Sequence, residues 1–252
     1  IAARTEDLER SNRELEDYAS VTSHDLQGPL VTIGMYAGLL ERKLGDDPEA
    51  RALATHIRTG AERMRGLVRD LLGYARLDRE ELKREPVDLD VTFRETLDAL
   101  AGPLRDRGAE VVAQSLPTVL GDAGRLRQVL QNLLANAVKF CDEDTVPRVE
   151  VTGTLERGGM VRISVHDNRI GFPDGQAEAI FRPFHRLHSA DRFEGTGIGL
   201  AVCQKIVEQH GGRIWAEGAP GQGATIHFTL PVLAQPATAP TANLVCSGGL
   251  PT

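Results

Sequence analysis

The chain has 252 residues, of which 41% are hydrophobic and 26% charged. This composition is typical of folded globular domains and excludes a disordered chain. Lys and Arg number 29 against 36 Asp and Glu, and the formal net charge of -7 argues against nucleic acid or an anionic membrane as the main partner. No apolar run approaches the roughly 18 residues that a membrane span requires. Three cysteines at unrelated spacings predict reduced thiols, so we expect a cytoplasmic location and no disulfide framework.

A heptad pattern runs through the first part of the chain, residues 1–85. Apolar residues on both sides of a break at 45–48 recur at alternating steps of four and three, which predicts a helical hairpin. The two series are Leu26, Leu30, Ile33, Ala37, Leu40 and Leu44, then Leu53, Ile57, Gly60, Met64, Leu67 and Leu71. Because two helices with one seam each cannot enclose a core, we expect a homodimer whose hairpins form a four-helix bundle.

Leu8 and Leu15 lie one heptad apart among charged residues, before the hairpin. This spacing predicts that the first helix continues towards the N-terminus as a two-stranded coiled coil. We expect an upstream sensor domain to attach there.

Residues 86–232 alternate between period-two apolar stretches and helical stretches, which predicts an α/β domain. The predicted strands contain Val149 and Val151, then Val161, Ile163 and Val165, then Ile214 and Ala216, then Ile226, Phe228 and Leu230, with two shorter ones at Val111 and Val119. Helices are predicted at 88–107, 122–140 and 198–210. Hairpin-like spacing around 158–159 favours mixed or antiparallel pairing. We expect a hinge near Glu85 and Pro86 and a disordered tail at 233–252.

His24 lies in the first predicted helix but off its apolar series, so the imidazole is expected to face water. Most exposed helical histidines are ordinary surface residues, but two neighbours favour a chemical role. Asp25 can orient or polarise the ring through a hydrogen bond. Pro29 removes the helical partner of the Asp25 carbonyl, which predicts a bend one turn beyond His24.

Asn132, Asn136 and Lys139 fall at steps of four and three on one face of an otherwise apolar predicted helix. Two amides and an ammonium on a largely buried helix need partners, and a phosphate chain with Mg²⁺ supplies both acceptors and charge. The alternative is that the amides cap local backbone while the lysine extends into solvent.

Two further segments carry groups suited to a nucleotide. Asp167 ends an apolar strand before a turn at Gly171, where its carboxylate can accept a hydrogen bond from an exocyclic amine such as that of adenine. An ordinary Asp-Gly turn is the alternative. Gly195, Gly197 and Gly199 directly precede an apolar helix, whose N-terminal N–H groups favour phosphate, although their spacing does not match the dinucleotide fingerprint.

A long polar stretch, 174–194, separates these two segments and predicts a lid. His185 and His188 lie within it, but no carboxylate or cysteine stands at a matching helical spacing. We therefore expect no metal site on these histidines.

Five ordered motifs resemble those of the sensor histidine kinases of two-component systems, especially the phytochrome-like branch. They are H-D-L-Q-x-P-L, N-L-L-x-N-A-x-K-F, D-N-x-x-G-F, I-F-x-P-F-x-R-L-H and G-T-G-I-G-L-A, and the resemblance covers about residues 5–231. It implies a dimerisation and phosphotransfer hairpin followed by an α/β two-layer sandwich of the GHKL ATPase type. It also implies ATP and Mg²⁺ as cofactors and the receiver domain of a response regulator as partner.

The resemblance assigns a role to each candidate residue. The phosphoacceptor is His24, with Asp25 as its acid/base partner. Mg²⁺ and phosphate are bound by Asn132 and Asn136, phosphate by Lys139, and adenine by Asp167 beside Gly171. The ATP lid holds Gly195, Gly197, Gly199 and Leu200, and Arg186 approaches the phosphates or the bundle during transfer.

Two positions depart from the family pattern. Arg169 stands where the adenine motif usually has its first glycine, and a side chain there crowds the nucleotide or, if the turn needs positive φ, strains it by about 1 to 3 kcal/mol. Gly28 stands four residues after His24, where members that dephosphorylate their partner often carry Thr or Asn to position water. We therefore predict weak or absent phosphatase activity.

The predicted reaction is ATP-dependent autophosphorylation of His24, followed by phosphoryl transfer to an aspartate of a response regulator. Two alternatives stay open. One is a catalytically degenerate, nucleotide-binding dimeric scaffold, which Arg169 favours. The other is a plain ATPase in which the helical bundle serves only for oligomerisation.

Overall fold

The structure is a computed structural model. It describes residues 26–43, 47–78, 81–141, 145–168, 170–173, 175–187, 193 and 195–233, and the backbone of 244–246. The chain divides into two compact units, one formed by Ile1–Glu80 with Glu194–Ile198 and the other by Glu81–Phe193 with Gly199–Thr252.

Two helices make up most of the described part of the first unit. Helix α1 spans residues 26–43 and α2 spans Pro48–Arg76. The side chain of Asp47 begins α2 by accepting hydrogen bonds from two backbone N–H groups of its first turn, at 3.0 and 3.1 Å. Pro48 fits this first turn because the N–H that it lacks would have no partner there. Local signals therefore place the start of α2 at the predicted break.

Polar and small residues hold α1 and α2 side by side. The Glu41 carboxylate on α1 accepts hydrogen bonds from Thr55 Oγ1 at 2.8 Å and from Arg58 Nε at 3.2 Å on α2. Three alanines of the two helices retain only 2–3% of their surface exposed: Ala37, Ala54 and Ala61. The helices therefore form the hairpin that the heptad pattern predicts.

The predicted apolar seam is only partly buried within one chain. Leu30 and Ala37 are buried, and Leu44 lies outside the described residues. Six other seam residues keep 43–61% of their surface exposed: Leu26, Ile33, Leu40, Leu53, Ile57 and Met64. The single hairpin thus leaves an apolar face uncovered.

The second unit contains the remaining elements. Its strands are β1 (Glu85–Asp88), β2 (Glu110–Ala113), β3 (Thr118–Gly121), β4 (Arg148–Glu156), β5 (Met160–Asp167), β6 (Ile214–Gly218), β7 (Ala224–Pro231) and β8 (Leu244–Cys246). Its helices are α3 (Leu89–Ala99), α4 (Ala101–Asp106), α5 (Ala123–Lys139) and α6 (Gly199–Gln209), with a short 3₁₀ turn at Ala179–Phe181.

A mixed six-stranded sheet forms one layer of this unit, in the order β6-β7-β5-β4-β2-β8. The pair β2–β4 is parallel and the other neighbours are antiparallel, as the hairpin spacing predicts. Alternate residues of β5 and β7 are buried, while α5 and α6 bury apolar faces of their own. The result is a two-layer α/β sandwich, in agreement with the predicted fold class.

Three predictions on the element bounds need correction. The hinge predicted near Glu85 and Pro86 does not fall on these two residues, because β1 pairs antiparallel with β3 within the second unit; a proline is tolerated in such a two-stranded edge. The helix predicted at 88–107 is divided at Leu100, since Pro103 lacks the N–H that would continue the helical ladder. Residues 244–246 of the predicted disordered tail pair with β2.

None of the helices in the described part of the chain combines the length and the apolarity needed to cross a membrane.

Candidate nucleotide and phosphoacceptor sites

His24 and Asp25 lie outside the described residues, so their roles stay predictions. The described neighbour Gly28 lies in α1, where its carbonyl accepts a hydrogen bond from Thr32 Oγ1 at 3.1 Å. Among the described residues, no atom lies within 4 Å of a Cβ added at Gly28. The helix surface at this position therefore has room for a larger side chain.

The polar residues of α5 lie on one face, as their spacing predicts. Asp122 caps the helix by accepting a hydrogen bond from the Arg125 N–H at 3.1 Å, and the apolar positions of α5 are buried. Asn132, Asn136 and Lys139 are half-buried. The amide nitrogen of Asn132 donates to the carbonyl of Gly199, the first residue of α6, at 3.3 Å. This contact ties the polar face of α5 to the start of α6.

The end of α5 also carries aromatic contacts. Lys139 Nζ lies 4.7 Å from the centroid of the Phe140 ring, and that ring meets Phe193 edge-on with centroids 5.1 Å apart. Arg186 donates a hydrogen bond from Nη2 to the carbonyl of Phe193 at 2.6 Å. Arg186, Phe193 and Lys139 therefore belong to one connected cluster.

Asp167 ends the central strand β5 and keeps only 1% of its surface exposed. It lies in register with Val149 of β4 on one side and Ala224 of β7 on the other. Its Oδ1 accepts a hydrogen bond from the Ala224 N–H at 3.3 Å. A carboxylate held this way inside the domain is suited to a directed hydrogen bond with a ligand amine.

The turn after Asp167 packs against the turn between β6 and β7. Gly171 has φ +67°, and a Cβ there would lie 1.9 Å from the carbonyl oxygen of Ala219. Gly223 has φ +81°, and a Cβ there would lie 2.0 Å from the carbonyl oxygen of Asp167. The Gly221 N–H donates to the Ile170 carbonyl at 2.8 Å. Both glycines are therefore required by backbone conformation and by space.

Sequence reasoning missed the β6–β7 turn as part of this region. Its signal was the glycine cluster at 218–223, which lies about fifty residues from Asp167 and has no motif of its own. Arg169 lies outside the described residues, so its predicted effect on the nucleotide remains a prediction.

The three glycines of the predicted lid fall in different units. Gly195 and Gly197, with φ +141° and +76°, belong to the segment Glu194–Ile198 of the first unit. Gly199 and Leu200 form the first turn of α6 in the second unit. The N-terminal turn of this 11-residue helix offers N–H groups and a positive dipole end to an anion.

His210 joins the far ends of α5 and α6, a role that sequence reasoning missed. It keeps 1% of its surface exposed. Its Nδ1 donates to the Ile206 carbonyl at 2.7 Å, and its Nε2 accepts from the Asp122 N–H at 3.0 Å. The bond to Nε2 requires the neutral ring, because a protonated ring has no acceptor nitrogen, and burial lowers the pKa of His210. His210 therefore holds together α5 and α6, the two helices that carry candidate site residues.

A helical hairpin followed by this sandwich, with a buried acid at the end of β5 and a glycine-led α6, defines the class of GHKL-type ATP-binding proteins joined to a phosphoacceptor hairpin. The model of the His Kinase A (phospho-acceptor) domain matches residues 14–80. The model of the histidine kinase-, DNA gyrase B-, and HSP90-like ATPase matches residues 121–234. The chain belongs to the sensor histidine kinases and contains the two domains of their catalytic core.

The similarity to individual proteins is consistent with this family assignment. The chain is 38% identical over 234 residues to the phytochrome-like protein Cph1 of Synechocystis sp., covering 92% of this chain and 31% of that protein. It is 39% identical to cyanobacterial phytochrome A of Nostoc sp., covering 92% of this chain and 30% of that protein. The chain thus spans about three tenths of the length of these curated relatives.

A solved structure has a similar fold. Full-length ShkA in complex with AMPPNP is 33% identical, with a TM-score of 0.66 over 89% of this chain and 47% of that chain. The AMPPNP in that structure is bound by ShkA.

Proposed function

We propose that this chain transfers the γ-phosphoryl group of ATP to His24 and then to an aspartate in the receiver domain of a response regulator. The main support is that one chain combines two parts. The matched phosphoacceptor region includes His24 and Asp25, and the matched ATPase domain carries a buried Asp167 at the end of its central strand.

The first step needs the neutral imidazole of His24. A ring nitrogen attacks the γ-phosphorus in line, the N–P bond forms, the bond from this phosphorus to the β,γ-bridging oxygen breaks, and ADP leaves. Asp25 accepts the imidazole proton. In the second step a receiver aspartate attacks the same phosphorus, and the N–P electron pair returns to His24. Because the attack needs a lone pair, we expect the labelling rate to fall as pH drops through about 6.5.

The polar face of α5 fits Mg²⁺ and phosphate. Asn132 and Asn136 lie one turn apart and half-buried, and their amide oxygens are the hard ligands that Mg²⁺ takes alongside water and phosphate oxygens. Bound Mg²⁺ would offset the negative charge of the phosphates. Lys139 follows at the next turn and adds fixed positive charge, which positions and stabilises the phosphoryl group.

The exposed face of the hairpin supports a homodimer. Leu53 and Ile57 of α2 keep 61% and 51% of their surface exposed, and Leu26, Ile33 and Leu40 of α1 keep 43–48%. A contiguous apolar face on a helical hairpin is stabilised when a second copy covers it. We propose that two copies pair through this face into a four-helix bundle.

Weak phosphatase activity is also part of the proposal. Phosphatase chemistry needs a polar side chain that positions a water molecule beside the phosphorylated aspartate, and Gly28 offers none. Within the described residues, no side chain fills the space beside Gly28, so packing against them does not require a glycine there.

The cellular setting completes the proposal. An upstream sensor domain would supply the input through the N-terminal helix. The thiol of Cys203 is buried and not in a disulfide, which fits a reducing compartment. We therefore place the reaction in the cytoplasm.

One labelling experiment tests the proposal. The chain is incubated with γ-labelled ATP and Mg²⁺, and the protein label is tested in acid and alkali. Phosphohistidine gives an acid-labile, alkali-stable label that disappears in His24→Gln. Release of free phosphate without protein label would support a plain ATPase instead.

The degenerate scaffold remains a second candidate because of Arg169, which replaces a glycine of the adenine motif. It predicts neither a protein label nor phosphate release. Arg169→Gly would then be expected to increase nucleotide affinity, which calorimetry can measure.

A further inference from the structure

Asn168 follows the adenine-binding candidate Asp167 and uses both ends of its side-chain amide. Its Oδ1 accepts a hydrogen bond from the Arg148 N–H at 2.8 Å, and its Nδ2 donates to the Val146 carbonyl at 3.0 Å. The Cys141 thiol lies 3.6 Å from the same Oδ1. One side chain therefore contacts two residues of the connection between α5 and β4, Cys141 and Val146, and the first residue of β4, Arg148.

That connection links the two ends of the candidate nucleotide site. It begins directly after Lys139 on α5 and ends at β4, whose Val149 lies in register with Asp167. The backbone adds a second link, because the Asn168 N–H donates to the Arg148 carbonyl at 3.3 Å. The position of the acid on β5 relative to the end of α5 therefore depends on how this connection is held.

The first residues of the connection are anchored from the other side. Cys141 keeps 2% of its surface exposed, and its carbonyl accepts a hydrogen bond from Arg107 Nη2 at 3.2 Å. Asn168 itself is exposed. Because its contacts lie at the surface, removing its side chain leaves Arg148 and Val146 backbone groups that water can reach, and the fold is expected to survive.

We propose that Asn168 is a positioning residue for the adenine end of the nucleotide site: by joining Cys141, Val146 and Arg148 to the end of β5, it fixes Asp167 relative to α5. This inference rests on the proposed ATP-binding function. Asn168 need not touch the nucleotide. Its loss is expected to weaken adenine nucleotide binding without weakening phosphoryl transfer once ATP is bound.

The test compares Asn168→Ala with Gln114→Ala in the full chain. Gln114 is also an exposed amide, and its side chain makes no hydrogen bond to the described residues. The measurements are the Kd for ADP by calorimetry, and KM for ATP and kcat for labelling of His24. For Asn168→Ala we expect Kd and KM to rise by about five- to tenfold with kcat within about twofold, and no change for Gln114→Ala.

A purely structural role gives a different result. Partial unfolding would lower the active fraction and therefore kcat while KM stays unchanged, and this outcome overturns the proposal, as does an unchanged Kd for ADP. If Asn168→Ala does not fold, Asn168→Asp is tested instead. This variant keeps the acceptor for the Arg148 N–H but loses the donor to the Val146 carbonyl. The proposal then requires the same rise in the Kd for ADP. A wild-type chain that binds ADP but gives no His24 label contradicts the proposed function, while ADP binding still tests Asn168.

Discussion

The close packing of two turns around Asp167 makes Gly171→Ala a sharp test of the nucleotide site. A methyl group at Gly171 would lie 1.9 Å from the Ala219 carbonyl oxygen and 2.9 Å from that of Gly223. Normal contact between a carbon and an oxygen requires more than 3 Å, so the β6–β7 turn has to move by more than 1 Å. The residue also has φ +67°, which a side chain adopts with strain.

The magnitude follows from these two costs. Placing alanine at positive φ costs about 1 kcal/mol. Displacing the turn also weakens the 2.8 Å hydrogen bond from the Gly221 N–H to the Ile170 carbonyl, worth about 0.5 to 1.5 kcal/mol. With overpacking added, we expect the free energy of unfolding to fall by about 2 to 4 kcal/mol. Because the displaced turn also contacts Asp167, we expect ATP affinity to fall by about tenfold or more.

A matched control separates strain from collision. Gly158 has φ +81°, and no atom of the described residues lies within 4 Å of a Cβ placed there. Gly158→Ala therefore introduces backbone strain without a collision. We expect its free energy of unfolding in urea to fall by about 1 kcal/mol and its ATP affinity in calorimetry to stay unchanged. If Gly171→Ala were as stable as Gly158→Ala and bound ATP like the wild type, the argument from packing at this turn would be refuted.

Three further predictions address the hairpin and the helix ends. Gly28→Thr meets no described atom within 4 Å, so we expect faster decay of a phosphorylated receiver domain with this variant plus nucleotide. The control is Gly38→Thr, which likewise meets no described atom. Equal decay rates for the two variants would contradict the proposed role of position 28. Ile57→Glu places a charge on the exposed apolar face, so sedimentation should show monomers. A dimer that persists in this variant would mean that this face is not the dimer interface. Burial lowers the pKa of His210 below its ordinary value of about 6.5, so its contribution to stability is complete above about pH 6.5 and is lost as pH falls through the lowered pKa. His210→Gln should reduce the free energy of unfolding by about 1 to 3 kcal/mol at pH 7.5. Its urea midpoint should fall less on acidification than that of the wild type. If both proteins lost the same stability in acid, His210 would not be the cause of the loss.

Features set by neighbouring residues could be predicted from the sequence. The face shared by Asn132, Asn136 and Lys139 follows from the helical repeat alone, and α5 begins where Asp122 can cap it. Asp167 falls at a strand end because the period-two pattern stops there. In each case the residues that determine the feature lie within one or two turns of each other.

Features set by distant contacts could not be predicted. The pairing of Asp167 with Ala224 joins residues 57 positions apart, and His210 meets the N–H of Asp122 across 88 positions. The histidine has no neighbouring motif, because its partners are backbone groups that every residue possesses. β1 was missed for a similar reason, since its identity as a strand depends on β3.

The hairpin shows most clearly what a repeat pattern leaves undetermined. A heptad series predicts which residues form an apolar stripe, but the same stripe can face the second helix of its own chain or a second chain. Residue size decides between them here: the small side chains of Ala37, Ala54 and Ala61 are buried, whereas larger neighbours such as Leu53 and Ile57 stay more than half exposed. Alanine allows two helices to approach closely, so the larger side chains lie outside the contact. Their exposure is therefore a consequence of the close hairpin, and a second copy is what would bury them.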